Sequence, residues 1–425
     1  MKIAIVGTGI AGNVVAHTLC RQHDITVYEA NDYVGGHTNT IDVTTADGDL
    51  SLDTGFIVFN DQTYPAFLSL LDSLGVESQA SAMSFSVQCV RSKLEYNGSS
   101  LSTLFAQRRN LFRRSFYRML LDILRFNEEA LQLLEDDNLD LSLAEFLRKG
   151  SYCHEFVEQY LIPMGAAIWS AEPCMMEKMP VHFFVRFFHN HGLLNIKDRP
   201  EWRVIKGGSR QYVRKLIAGH RDRIRTNCLV HSIERFPTHV KIRARGVEAE
   251  TFDYVFIACH SDQALRLLVD PSQAEHEVLS TIPYKYNQAV LHTDQSLMPV
   301  RKRAWGAWNY HIPEHQSQGV AVTYHLNRLQ GLNTREQYFV TLNSEDRIRP
   351  ESVIKCVDYE HPVFTAAGVR SQKRHSEING TDRTYYCGAY WRNGFHEDGV
   401  VSAQTALRDL ETRVRYEERY LQRAS

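Results

Sequence analysis

The chain opens on a short apolar stretch, Met1 to Val6, which reads as a strand and enters a glycine turn with no polar spacer. A helical stretch follows, then a second strand, Ile25 to Tyr28, closed by Glu29. Leu50 to Phe56 reads as a strand ending in a turn, and residues 66–74 carry helical spacing that stops at Gly75. From about 101 to 150 the pattern is helical. Phe112, Phe116, Met119, Ile123, Ala130 and Leu134 fall on one face, and Arg114, Arg118 and Arg125 on the other. Residues 153–200 continue as short aromatic-rich helices, including Phe183, Phe184, Phe187 and Phe188.

The period then shortens to that of strands. Val204 to Lys206 leads into Gly207-Gly208-Ser209 and a helix through Leu216, and strands are expected at Cys228–Arg235, Val240–Arg245 and Tyr254–Ala258. Further strands are expected at 288–293, 319–325 and 337–342. Tyr385 to Cys387 follows, then a glycine-rich turn and a helix from about Gly399. The pattern predicts an α/β fold with an interrupted, Rossmann-like binding domain over 1–80, 200–270 and 380–425. A second, mixed α+β substrate domain is built from 81–199 and 271–379, and such an arrangement places a ligand cavity between the two.

The turn Gly7-Thr8-Gly9-Ile10-Ala11-Gly12 supplies the first chemistry. Standing between a strand and a helix, with an acidic residue closing the next strand, it is the dinucleotide fingerprint in its working context. Gly7 allows the tight turn, Gly9 lets backbone approach a pyrophosphate, and Gly12 lets the helix pack on the strand. Glu29 is placed to accept hydrogen bonds from a ribose diol.

Composition narrows the class. At 425 residues the chain is too long for one ordinary core. A net charge of -2 gives no case for bulk nucleic-acid attraction. The eight cysteines are scattered without a CxxC pair, which favours reduced thiols in a cytoplasmic setting. His189 and His191 lack a third ligand at metal spacing, so no metal is expected. No apolar run is long enough to span a bilayer. The Arg108 to Arg125 region has two readings, a core helix with a solvated side or an interfacial helix in peripheral contact with the inner membrane face.

The glycine turn with Glu29, the pair Gly35-Gly36, Asp53-Thr54-Gly55-Phe56, Gly207-Gly208, the strand Val255 to Ala258, and Gly388 with Gly394 to Gly399 together resemble the flavin-dependent amine oxidase, phytoene desaturase and protoporphyrinogen oxidase superfamily. The resemblance implies non-covalent FAD, with Ile10 and Ala11 offering N–H groups to the diphosphate. Gly36, His37 and Thr38 would lie near the ribityl chain, Gly55 and Phe56 in the same site, and Val230 against the adenine through its backbone. Gly388 would belong to the late motif, and the helix near Val400 would point its N-terminus at the flavin pyrimidine, where reduced flavin carries negative charge. His37 stands where relatives usually carry arginine, and Ala389 where they often carry an acid. Lys285 does not fall in register with the lysine that amine oxidases hold near flavin N5.

His396 and Trp391 are the catalytic candidates. His396 suits proton transfer near neutrality, or else fills space at a helix start, and Trp391, with Tyr390, suits either a cavity wall or packing of the sheet. Asp398 reads as the N-cap of the last helix. Trp305 to His311 reads as an aromatic strand whose pattern is ordinary for a half-buried sheet. The expected activity is hydride transfer to flavin from a small or apolar substrate, an amine or an unsaturated lipid or acyl chain. The alternatives are a redox-neutral flavin-dependent isomerase or mutase, a dinucleotide-binding protein without catalysis, and an NAD-dependent dehydrogenase.

Overall fold

The computed structural model describes residues 1–45, 48–135, 140–195, 197–314 and 321–424. At its centre is a five-stranded parallel sheet in the order Ile224–Arg225, Asp24–Tyr28, Lys2–Val6, Tyr254–Ile257, Thr384–Tyr386. Its strands come from three separated stretches of chain. Parallel sheets are buried on both faces, and the side chains of the first strand divide accordingly. Ile3 and Ile5 face helices Ile10–Leu19 and His396–Ala424, while Ala4 and Val6 face the opposite layer. That layer holds a three-stranded antiparallel sheet (Val230–Arg235, Val240–Ala244, Glu250–Phe252) and helices Ser261–Leu267 and Gln273–Leu279.

A seven-stranded sheet makes the other half, in the order Val353–Pro362, Tyr284–His292, Phe339–Leu342, Val322–His325, Trp308–Ile312, Phe85–Cys89, Leu94–Asn97. All its pairs are antiparallel except Trp308–Ile312 with Phe85–Cys89. One of its faces packs on the helices of residues 114–190 and forms the largest apolar core.

Several expected elements change on inspection. The helical region 101–150 is not continuous: it runs as Leu101–Leu104, Arg108–Phe112, Arg114–Gln132, Leu133–Glu135 and Leu143–Lys149. Phe112 therefore leaves the buried face and is 88% exposed. The strand expected at 288–293 is longer, Tyr284–His292, because Val353–Pro362 pairs along its whole length. The strand expected at 319–325 is observed as Val322–His325, and residues 319–320 lie outside the described residues. Val353–Pro362 itself, and the hairpin Phe85–Cys89 with Leu94–Asn97, had no clear alternation to announce them. The last helix starts at His396, three residues before Gly399.

Candidate cofactor and active site

The glycine turn lies at the carboxyl end of the first strand, between the loops that follow Tyr28 and Ile257, where open α/β sheets bind ligands. Gly7 has φ +102° and presses on the next strand, where an added Cβ would meet the Ala258 carbonyl oxygen at 2.9 Å. At Gly12 it would meet the Gly7 oxygen at 2.0 Å, so only glycine lets the helix pack here. Gly9 differs, because its Cβ would meet nothing within 4 Å. It caps helix Ile10–Leu19 with no side-chain hydrogen bond. The N–H groups of the first turn, Ile10 and Ala11 among them, thus face open space with the positive end of the helix behind them.

Glu29 is buried at the end of the second strand. It accepts the Thr8 N–H at 3.0 Å and the Thr8 hydroxyl on Oε2, and the Asn31 N–H at 2.9 Å on Oε1, which fixes its carboxylate beside the turn. Backbone bonds join Glu29 to Arg225 and Cys228 and place Val230 just beyond them. The acidic residue and the strand expected at the adenine are therefore neighbours.

Gly36 touches Gly9 backbone, since its Cβ would lie 3.1 Å from the Gly9 Cα. His37 follows at once. Its ring stacks on Tyr359 at 4.9 Å and stands edge-on to His361 at 5.1 Å, and its Nε2 is buried without a hydrogen-bond partner. Desolvation holds the His37 imidazole neutral, well below its usual range. Thr38 Oγ1 bonds the Tyr212 hydroxyl and lies 3.0 Å from His396 Nε2. Gly55 packs directly under the His37 carbonyl, and Phe56 stacks on His396 with centroids 3.5 Å apart.

Asp53 anchors this segment rather than touching a ligand. Its buried carboxylate accepts the Thr40 hydroxyl at 2.6 Å, and the Ser209 N–H at 2.9 Å and hydroxyl at 2.7 Å, tying the Gly207-Gly208 turn to the binding half. Burial raises Asp53 to about 6 against the pull of these donors. Gly388 donates its N–H to Ser402 Oγ at 2.9 Å, and Val400 is fully buried under the sheet. At Gly399 an added Cβ would meet Ile10 Cγ2 at 2.5 Å. The last helix and the first therefore cross near their N-terminal ends, and two positive helix ends converge on one spot.

The two catalytic candidates, His396 and Trp391, are both buried. His396 is buried between Phe56 and the edge of Phe67, and its Nε2 is already engaged by the Thr38 and Tyr212 hydroxyls, each at 3.0 Å. Desolvation lowers it to about 3, so its imidazole is neutral near neutral pH. Trp391 packs against His375 at 4.3 Å and Tyr390 at 4.9 Å, in the core beside Ile378 and Tyr386. That is sheet packing rather than a cavity wall. Asp398 is the third residue of its helix, not the N-cap, and binds back to Phe395 N at 2.9 Å and Asn393 N at 3.2 Å. Lys285 is committed to Glu172 at 2.6 Å.

Glu397 carries a role that pattern did not announce: its carboxylate accepts Ala66 N at 3.1 Å and Phe67 N at 2.8 Å, capping helix Pro65–Ser73 from the far end of the chain. Tyr359 and His361 were equally hidden, because their strand was. Ser209 had a signal in its position directly after Gly207-Gly208.

The cradle fits an adenine dinucleotide carrying flavin. It offers an open glycine at a free helix N-terminus, a fixed carboxylate at the ribose end, and buried polar atoms without protein partners, His37 Nε2 and Ser261 Oγ, along its rim. Two nearby thiols are unsuited to covalent attachment: burial pushes Cys259 up to about 12 and Cys387 higher still, so neither is a thiolate.

The sequence matches the family described as flavin containing amine oxidoreductase over residues 10–323. No curated protein matches it. The fold is similar to that of cyclohexylamine oxidase from Brevibacterium oxydans IH-35A, at 15% identity and TM-score 0.68 over 97% of this chain and 99% of that one. Putrescine oxidase bound to putrescine gives 16%, 0.66, 97% and 99%. The CLA-producing fatty acid isomerase from P. acnes gives 16%, 0.66, 96% and 98%. At such identities the structures show a shared fold, while the sequence match spans most of the chain. The chain belongs to the flavin containing amine oxidoreductase family, as an FAD-dependent oxidoreductase that holds its cofactor non-covalently.

Proposed function

We propose that this oxidoreductase acts on an apolar substrate, an unsaturated acyl chain, rather than on an amine. The observation that carries the reading is a row of partly buried apolar side chains packed against the large core. Tyr160, Met164 and Ile168 recur every four residues along one side of residues 157–169, and they stay half-buried among fully buried neighbours such as Leu161, Ala166 and Ala167. The π-turn Val157–Leu161 widens the helix at this point, and Tyr96 satisfies the Gln159 carbonyl at 2.7 Å. From the sheet, Tyr324 reaches the Ala167 carbonyl at 3.4 Å and stands edge to face with Trp308 at 5.2 Å.

FAD, when bound, supplies a two-electron acceptor for a hydride leaving a substrate carbon. The chain's own residues exclude water from this row and hold the imidazoles of His37, His361 and His396 neutral by desolvation. An ammonium group placed against Met164 and Ile168 would be buried without a counter-charge, at a cost of several kcal/mol. Lys285 is held by Glu172, which further disfavours amine-oxidase chemistry.

The test is anaerobic mixing of the yellow holoprotein with an unsaturated fatty acid, with cyclohexylamine and with putrescine, followed through the visible flavin band. Bleaching by the fatty acid alone is expected, and bleaching by the amines alone overturns the reading. A fatty acid whose double bond shifts with no acceptor consumed makes the reaction redox-neutral instead. Met164→Lys is expected to keep FAD and lose fatty-acid kcat/KM by about 100-fold or more.

A further inference from the structure

Helix Arg114–Gln132 is apolar on more than its packed face. Phe116, Met119, Phe126 and Ala130 are buried, yet Tyr117, Leu121, Leu124 and Leu131 form a second stripe, at helical spacing, that is exposed. Leu121 is 65% exposed. Arg114 and Arg118 border this stripe on the side away from the core, while the Arg125 guanidinium lies over the Tyr152 ring at 4.1 Å.

Three more exposed apolar positions join it. Phe112 immediately precedes the helix, and Leu101 and Val300 are 77% and 81% exposed. Glu95 gathers these segments onto one hairpin. Its Oε1 accepts Val300 N at 3.0 Å, its Oε2 accepts the Arg301 guanidinium at 3.2 Å, and its carbonyl accepts the Asn110 amide at 3.2 Å.

Charge tells what covers the face. The chain as a whole carries -2, but residues 91–131, which span the face, hold eight basic side chains against four acidic ones, Glu95, Asp122, Glu128 and Glu129. Arg118 and Arg125 are paired, with Glu155 and Asp122. Arg108, Arg114, Lys302 and Arg303 have no carboxylate within ion-pair distance among the described residues. Exposed Phe, Leu and Val ringed by unpaired cations match an anionic lipid surface, where apolar groups enter the acyl boundary and arginines meet phosphates. No helix among the described residues is long and apolar enough to cross a membrane, so the contact lies in the plane of the surface.

We propose that the face formed by Leu101, Phe112, the Tyr117–Leu131 stripe and Val300 docks on an anionic lipid bilayer. The experiment is flotation of the FAD-loaded full chain with vesicles of equal phosphatidylglycerol and phosphatidylcholine, and with phosphatidylcholine alone. It reads no turnover, so it stands apart from the substrate. Binding to the anionic vesicles only, weakened by salt, is expected. Arg108→Gln with Arg114→Gln should lower partition about 25-fold, near fivefold per charge. Phe112→Ser with Leu121→Ser should lower it at least tenfold by order of magnitude, with unchanged melting temperature, because both side chains lie outside the core. No binding, equal binding to both vesicles, or binding indifferent to both double variants overturns the proposal. So does a dimer in solution that both double variants convert to monomer, which would assign the face to a second copy of the chain.

Discussion

At Gly12 a methyl group would meet the Gly7 oxygen at 2.0 Å, whereas at Gly9 it would meet nothing within 4 Å. The motif reads alike at both positions, but the substitutions should behave differently. Gly12→Ala forces helix and strand apart and is expected to cost about 1–3 kcal/mol by overpacking, with a lower melting temperature and colourless protein. Gly9→Ala has a φ of -62° that alanine accepts, so the apoprotein should melt unchanged while FAD binding weakens at least tenfold, by order of magnitude, because the methyl occupies the approach to backbone N–H groups. Titration of the apoprotein with FAD checks this; undiminished affinity would show that the pyrophosphate does not pass Gly9. His396→Ala should lower the melting temperature by emptying the space between Phe56 and Phe67 while leaving the shape of the kcat pH profile intact. Loss of one ionisation from that profile would restore a proton-transfer role.

The binding elements were legible because each needs only local pattern: an apolar strand, a glycine turn, a helix, an acidic stop. What joins them was not. Helix Pro65–Ser73 was visible from its periodicity, yet its cap is Glu397, more than three hundred residues away in sequence. Glu397→Gln keeps the shape and removes the charge from two hydrogen bonds to backbone N–H groups. A loss of about 1–2 kcal/mol and a lower melting temperature are expected, together with weaker FAD retention, since the same residue lies in the first turn of the last helix. Unchanged melting would mean that the cap contributes nothing. The strand Val353–Pro362 escaped notice because half-buried residues alternate poorly along it, and with it went Tyr359 and His361, which press on His37 from the other half of the molecule.

Acid stability is a property of the assembled protein. Desolvation holds His191, His220, His292, His311, His325 and His361 down to about 4 and His396 to about 3. In the unfolded chain they titrate near 6.5. Below that pH the unfolded state binds more protons, so the stability these groups contribute is complete above about 6.5 and is lost as pH falls toward about 4. Asp53 and Asp398, raised to about 6, work the other way over the same interval, but they are two against seven. The melting temperature should therefore fall steadily from pH 7 to pH 4.5 in differential scanning fluorimetry; a flat profile would mean that these histidines are hydrated.

By itself the sequence determined that a glycine turn and an acidic strand end would assemble a dinucleotide cradle, since each follows from backbone geometry and short-range packing, and the resemblance carried by the later glycine motifs pointed to flavin. Only the tertiary structure decided that His396 is a neutral support, that Trp391 packs under the sheet, that Lys285 is held by Glu172, and that Phe112 and Leu121 face outward. Those roles depend on desolvation and on partners distant along the chain, and neither is written in the spacing of neighbouring residues.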